Sequence, residues 1–348
     1  MDARADDQRI TAHFKAQAEA CERLGSPFTA RLCRALAAVL DEATETGRRA
    51  LSWPGDPGRD ALALRLCGGL HFLVLSEKCR LLKAAFPPQG APEFALRALF
   101  PSVIRDHDKT LLSFLDRPPQ TNEAARAAVL LPGLLEIARE VKLPLSLHEI
   151  GASAGLNLAF DRFGFRYGEA LWGDENSPVR LEPEIRGKPV PLGGRLNIMA
   201  RRGTDVAPVN VSQGDTRLRL KAYVWPDQPA RAARLEAAIR LAMAARVRVE
   251  AQDALLAVRS MLENRPEGAA AVLFHSVVWQ YLPEETQAAI VEAMRAGGGE
   301  ATPTRPLAWL RMEPGRVGDA ALALTLWPGG ATRHLADADF HGRWIAWR

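Results

Sequence analysis

No apolar run in this chain approaches the roughly 20 residues that a membrane span requires; the best covers only residues 66–75. No membrane partner is therefore expected. The opening stretch MDARADDQRI is acidic and polar, unlike the basic start and apolar core of a secretory leader, so a cytoplasmic protein is expected. Cysteine is scarce. The four present, Cys21, Cys33, Cys67 and Cys79, all lie in the first part of the chain. Cys67 and His71 stand four apart, which can put two ligands on one helix face, but nothing nearby completes a zinc spacing. Buried free thiols are expected instead, and no metal site. An excess of one charge is missing too. Lys and Arg number 45 against 41 Asp and Glu, divided about residue 140 as 19 against 18 and 26 against 23. With no basic half and no charged tail, a nucleic-acid partner is not expected. The 27 Gly and 24 Pro follow no period, which excludes collagen-like and low-complexity chains.

What is present describes a globular protein. Hydrophobic residues make up 47% and charged residues 25%, which excludes disorder as the main state. A length of 348 residues suggests about two domains.

Residues 1–142 read as helical. Ile10, Phe14, Ala18 and Cys21 fall near helical spacing in a polar stretch. Pro27 opens a second helix reaching Leu40, with Leu32, Leu36, Val39 and Leu40 on one stripe. Apolar helices are expected over 61–86 and 92–115. Another starts in QTNEAARAAVLLPGLL, with Thr121 as its N-cap and Glu123 in its first turn. From residue 143 strands alternate with helices. Strands are expected at 145–150, 196–200, 247–250, 271–275, 307–312, 321–326 and 344–347, and helices at 230–245, 254–263 and 284–296. That alternation implies an α/β domain over 143–348 with a mostly parallel sheet. The last two strands lack an intervening helix and are expected to pair as an antiparallel hairpin. Residues 163–195, rich in Gly, Pro and aromatics, are expected to form an insertion of short hairpins.

The segment that carries chemistry is LPLSLHEIGASAGLNLAFDRFG, residues 143–164. A buried strand ends in Glu149, a glycine loop follows, and a helix is expected from about Ala154. Gly151 and Gly155 let backbone amides approach a ligand, and the helix start adds partial positive charge. The spacing is neither the dinucleotide fingerprint nor a phosphate-binding loop. Glu149 directly before the loop would repel a pyrophosphate and suits an ammonium or sulfonium group.

This segment resembles the first motif of class I S-adenosylmethionine-dependent methyltransferases. The resemblance implies a Rossmann-like fold, S-adenosylmethionine as cofactor, and cofactor contacts at Glu149, Gly151, Ser153, Gly155 and Asn157. It also implies Asp205, after the second strand, on the ribose hydroxyls, and Asp253, after the third, near the adenine amino group. Glu169 is the alternative to Asp205 if FGFRYGE is the second strand. Beyond the fourth strand, Trp279 and Tyr281 fall where that superfamily faces cofactor and substrate. The motifs QTNEAARAAVLLPGLL, HEIGASAGLNLAFDRFGFRYG, RRGTDVAPVN, YVWPDQPARAARLEAA, HSVVWQYL, LTLWPGG and HGRWIAW, in that order, look like one uncharacterised bacterial family, domain of unknown function 2332. That family implies no substrate; a small molecule is the expected acceptor, and the oligomeric state is left open.

Other residues carry two readings each. Asn122 and Arg126 fit a cofactor-facing segment, with Arg126 able to grip a carboxylate in a bidentate fork, or simple helix capping. Trp225 and Asp227 could line a substrate pocket and Arg231 and Arg234 bind an acidic group, or the segment is a turn before an amphipathic helix. His275 could act as general base or be hydrogen-bonded at a strand end. Two alternatives to catalysis by methyl transfer stay open. One is a non-catalytic ligand-binding or interaction protein. The other is a serine hydrolase, because GASAG fits Gly-x-Ser-x-Gly at Ser153, with His341 or His334 and Asp319 or Asp337 as partners.

Overall fold

A computed structural model describes residues 3–120, 122–315 and 318–348. Its helices are α1 (Ala3–Arg23), α2 (Pro27–Val39), α3 (Glu45–Leu51), α4 (Leu62–Leu75), α5 (Arg80–Ala85), α6 (Glu93–Asp106), α7 (Asp108–Leu115), α8 (Ala127–Val141), α9 (Gly214–Ala222), α10 (Pro229–Ala244), α11 (Ala254–Glu263) and α12 (Glu284–Gly299). The strands are β1 (Leu145–Ile150), β2 (Gly164–Tyr167), β3 (Ala170–Gly173), β4 (Arg180–Leu181), β5 (Glu184–Gly187), β6 (Ile198–Asp205), β7 (Val249–Ala251), β8 (Ala270–Ser276), β9 (Leu307–Pro314), β10 (Ala320–Trp327), β11 (Thr332–Ala338) and β12 (Trp344–Trp347). None of the described helices is long and apolar enough to cross a membrane. The chain forms two compact units, Met1–Thr121 with Gln213–Ala233, and Asn122–Ser212 with Arg234–Arg348.

The first unit is helical. Ile10, Phe14, Ala18 and Cys21 recur every three or four residues, and that stripe of α1 is buried. Ser26 caps α2, with Pro27 at its first turn, and Leu32 and Leu36 face the core. The single helices expected over 61–86 and 92–115 each break in two. Glu77, in left-handed backbone, separates α4 from α5, and His107 separates α6 from α7. All four cysteines are free and buried, with Cys33 and Cys67 sulfurs 3.7 Å apart.

Residues 213–233 are built into this unit by packing. A Cβ on Gly68 of α4 would lie 2.6 Å from the Tyr223 ring, so the glycine is the space that ring occupies. His71 lies 3.1 Å from the Ala222 carbonyl, and burial lowers its pKa to about 4. Asp227 accepts a hydrogen bond from Ser26 Oγ and one from the Phe28 amide at 2.8 Å, which satisfies a first-turn donor of α2.

The second unit is α/β. Its large sheet has the order β5-β12-β11-β10-β9-β8-β1-β6-β7. From β7 to β9 every pair is parallel; β9 to β12 form an antiparallel meander, and β5 adds to β12 in parallel. The hairpin expected between the last two strands is therefore corrected, because β11 lies between β10 and β12. Both faces are covered. Gly133 of α8 lets that helix approach β9, since a Cβ there would stand 2.6 Å from Leu310. On the other face Ile150, Leu273, Leu307 and Trp309 pack with Val258 and Met261 of α11 and Ile290 and Met294 of α12. The division between units falls at residue 121 where a boundary near 142 is expected, because α8 buries its apolar face on this sheet. The 163–195 stretch supplies a small sheet of order β3-β2-β4, plus β5. The expected N-cap Thr121 lies outside the described residues.

Replacing Asp227 by Ala should lower stability by about 1–2 kcal/mol, through loss of the α2 cap. Urea unfolding of D227A against the parent chain measures this; an unchanged midpoint would show the cap to be dispensable.

Candidate functional site

Strand order reverses between β1 and β8. In α/β sheets the crevice at the carboxyl ends of the strands flanking such a reversal is where ligands bind. Alternation decides which side chains reach it. Ile150 packs toward α11 and α12, so Glu149, its neighbour in β1, faces the opposite side of the sheet.

Glu149 is buried, and its Oε2 has no hydrogen-bond partner among the described residues. Burial pushes its pKa up to about 8, opposed by the Asn157 amide and the Arg126 charge and assisted by Asp205. Three more buried polar atoms of the loop and the 3₁₀ helix after it lack partners among the described residues: Ser153 Oγ and both side-chain atoms of the Asn157 amide. Buried polar atoms are satisfied in nearly all proteins, so a group of unsatisfied ones calls for a ligand or water.

The loop itself is held by its surroundings. Ser153 donates its amide to Asp205 Oδ2 at 2.9 Å, and Asp205 Oδ1 takes the Ala207 amide at 2.8 Å. Gly151, Ser153 and Gly155 have positive φ, and Ser153 stores the strain of a left-handed non-glycine residue. A Cβ on Gly151 would strike Val278 at 2.4 Å, and one on Gly155 would strike Val247 at 2.7 Å. Both glycines thus serve packing within the protein. The α-helix expected from about Ala154 is corrected to a 3₁₀ helix over Leu156–Arg162, and Asn122 Oδ1 accepts its Leu156 amide at 2.9 Å. That amide is not free for an anion.

Arg126 is also employed. It donates to the Ser276 carbonyl at 3.1 Å and the Phe340 carbonyl at 3.0 Å, joining the end of β8 to the segment before β12. Glu123 is buried, takes the Ala125 amide, and lies 3.5 Å from Arg234 of α10. Glu123 and Arg234 are thus brought together by the fold. Arg234, read from the sequence as able to bind an acidic group, lies beside the Glu123 carboxylate, a pairing that no local spacing shows.

His275 is placed elsewhere. It shares the face of Leu273, so it points away from Glu149. Its ring is fully buried. Trp309 Nε1 donates to Nε2 at 3.1 Å, and Nδ1 lies 2.6 Å from Glu313 Oε1. An indole N–H can only donate, so Nε2 is the acceptor and Nδ1 carries the proton. With both nitrogens engaged, the reading of His275 as a general base is replaced by a structural one. Trp279 stacks on this ring at 5.3 Å, and Tyr281 beyond it is exposed.

The remaining candidates divide between the units. Asp205 ends β6, beside β1, whereas Glu169 sits in the β2–β3 turn, away from the large sheet. Asp253 caps α11, one oxygen accepting the Leu255 and Leu256 amides. Trp225 and Asp227 belong to the first unit, where Asp227 is occupied as the α2 cap. His148 faces a cavity of about 90 Å³ beneath α11, also lined by Arg202, Glu250, Gln252 and Ser260. Burial lowers its pKa to about 4. A cleft of about 750 Å³ opens at the amino ends of β1 and β6, far along the strands from Glu149.

The chain belongs to the family described as uncharacterized protein conserved in bacteria (DUF2332). The family model matches residues 11–347, almost the whole chain and both units. No curated protein matches it.

Two measurements test this site. An unfolded Glu149 ionises near its ordinary 4.5 and the folded one near 8. The protonated group therefore favours the folded chain fully below about 4.5, and the advantage is lost as pH rises through about 8. Melting temperatures of the parent chain should fall relative to E149Q across that window; a constant difference would contradict a buried neutral Glu149. Ser153 Oγ has no histidine partner, so fluorophosphonate should leave the folded chain unlabelled, and labelling abolished by S153A would restore the hydrolase reading.

Proposed function

We propose that the second unit binds S-adenosylmethionine at the carboxyl end of β1 and that the chain transfers its methyl group to a small-molecule acceptor. The observation that carries this reading is the group of buried polar atoms on Glu149, Ser153 and Asn157 left without a hydrogen-bond partner among the described residues, where the strand order reverses. Order β7-β6-β1-β8-β9 is that of doubly wound nucleotide-binding sheets, which supports the resemblance in the glycine loop.

The residues present fit the methionine portion of this cofactor. Glu149 offers an acceptor to an ammonium group, and Ser153 and Asn157 offer donors to a carboxylate. Asp205, half-buried at the end of β6, keeps a lone pair on each oxygen for ribose hydroxyls. Asp253 keeps its second oxygen for an adenine amino group. The glycines fit less directly, since neighbouring valines fill the space beside them. When bound, S-adenosylmethionine supplies an electrophilic methyl group on a sulfonium leaving group.

The chain's own part is to bind, orient and exclude water. With no ammonium group bound, Glu149 is protonated near neutral pH, since burial outweighs the Arg126 charge. An arriving ammonium favours the carboxylate, and the Glu149 proton leaves to solvent as the ligand binds. Proton abstraction from the acceptor has no assigned residue, because His275 is locked on the other face. That arrangement also favours a second reading, ligand binding without turnover. Methyl transfer to a supplied acceptor separates the two once binding is known.

Calorimetry with S-adenosylhomocysteine tests the site. Binding should tighten from pH 6 to pH 8, by at most about tenfold per pH unit, as Glu149 gives up its proton more readily. In E149Q it should be weak and insensitive to pH. Failure of both S-adenosylmethionine and S-adenosylhomocysteine to bind at millimolar concentration would refute the assignment.

A further inference from the structure

Immediately after β8 the backbone enters a conformation that a β-branched residue resists. Val277 has φ +56, in the left-handed region. Strain of this kind persists only where the surroundings impose it. Here the source is visible. Val277 donates its amide to the Met312 carbonyl of β9 at 2.9 Å. Next along β9, Glu313 collects the following groups. Its Oε1 accepts from His275 Nδ1 at 2.6 Å and the Val278 amide at 3.1 Å; its Oε2 accepts from the Val278 and Trp279 amides, both at 3.2 Å. The turn so held lays Val278 against Gly151, at the first bend of the glycine loop.

We propose that Glu313 is a positioning residue: it clasps the 277–279 turn and, through Val278, sets the shape of the glycine loop on Gly151. Its role for a cofactor rests on the reading above, that this loop binds S-adenosylmethionine. The hydrogen-bond directions require a carboxylate. Trp309 donates to His275, so His275 must donate onward to Glu313, and the two amides can only donate. Both Glu313 oxygens must therefore accept. A glutamine has one accepting end. Turned one way, its NH₂ meets the Trp279 N–H; turned the other, it meets His275 Nδ1–H. An isosteric substitution thus breaks one side of the clasp in either orientation.

E313Q is compared with the parent chain by hydrogen exchange, imidazole ¹⁵N NMR and calorimetry with S-adenosylhomocysteine. Loss of one side of the clasp should speed exchange of the 277–279 amides by about tenfold or more, with loosening spread to 151–155. The nitrogen spectrum should show His275 protonated at Nδ1 in the parent and tells which side of the clasp breaks in E313Q: the signature persists where the glutamine oxygen faces His275 and changes where its NH₂ does. Affinity for S-adenosylhomocysteine should drop by about tenfold, taking a single unsatisfied buried group as the cost. Unchanged exchange together with an unchanged His275 signature, loosening of 277–279 that leaves 151–155 unchanged, or loosening of both segments with unchanged affinity overturns the proposal. Should the parent chain bind no S-adenosylhomocysteine while E313Q still loosens both segments, the cofactor reading fails and the clasp stands. V278A covers the case in which E313Q does not fold. It keeps the clasp but removes the side chain from Gly151, so 277–279 should stay protected while 151–155 loosens; equal protection of 151–155 in V278A and the parent overturns the link.

Discussion

A carboxyl group taken out of water keeps its proton unless something positive sits beside it. Glu149 is in that position, near the end of the middle strand of the parallel part of the sheet, and much of the second unit is arranged around it. The helical segment from Asn122 approaches from one side, with Arg126 near enough to oppose the pKa rise. The glycine loop bends over the strand end, pinned by Asp205. Neither contact gives Oε2 a hydrogen bond. The group is therefore poised between two charge states, with the balance open to whatever enters the crevice.

The same strand geometry separates two sets of residues that lie close in the chain's pattern of strand ends. Glu149 closes β1 on the face covered by α8, and His275 closes β8 on the face covered by α12. The two side chains therefore point away from each other although their strands are neighbours. His275 instead joins Trp309, Trp279 and Glu313 in a buried polar network whose donors and acceptors all match. Such networks rigidify a site because each member fixes the direction of the next.

How much of this was legible in the sequence follows from the range of the interactions. The α1 stripe, the burial of β1 and the loop after Glu149 rest on local periodicity and turn chemistry, and each is found where periodicity places it. Strand β11 was not legible because Thr332–Ala338 mixes Arg, His and Asp into its alternation, and only pairing with β10 and β12 makes it a strand. The breaks at Glu77 and His107 escaped because apolar spacing continues across them. For Asp227, the cap on α2 depends on a residue some two hundred positions earlier. Arg126 looked like a carboxylate fork, yet its guanidinium reaches carbonyls of β8 and of the segment before β12, which no spacing could show. Glu149, Ser153 and Asn157 came together because one turn of chain holds all three.

Tyr223, seated in the space left by Gly68, carries a consequence for how the molecule is made. The first unit is not finished when its leading helices leave the ribosome. Until residue 223 emerges, α4 presents a slot where that ring belongs, and α2 has only Ser26 at its start until Asp227 follows. By then β1, the glycine loop and β6 have already been synthesised, while β8 and the meander have not. The two units are therefore completed in alternation, and a cut at any single point of the chain leaves at least one of them missing a part.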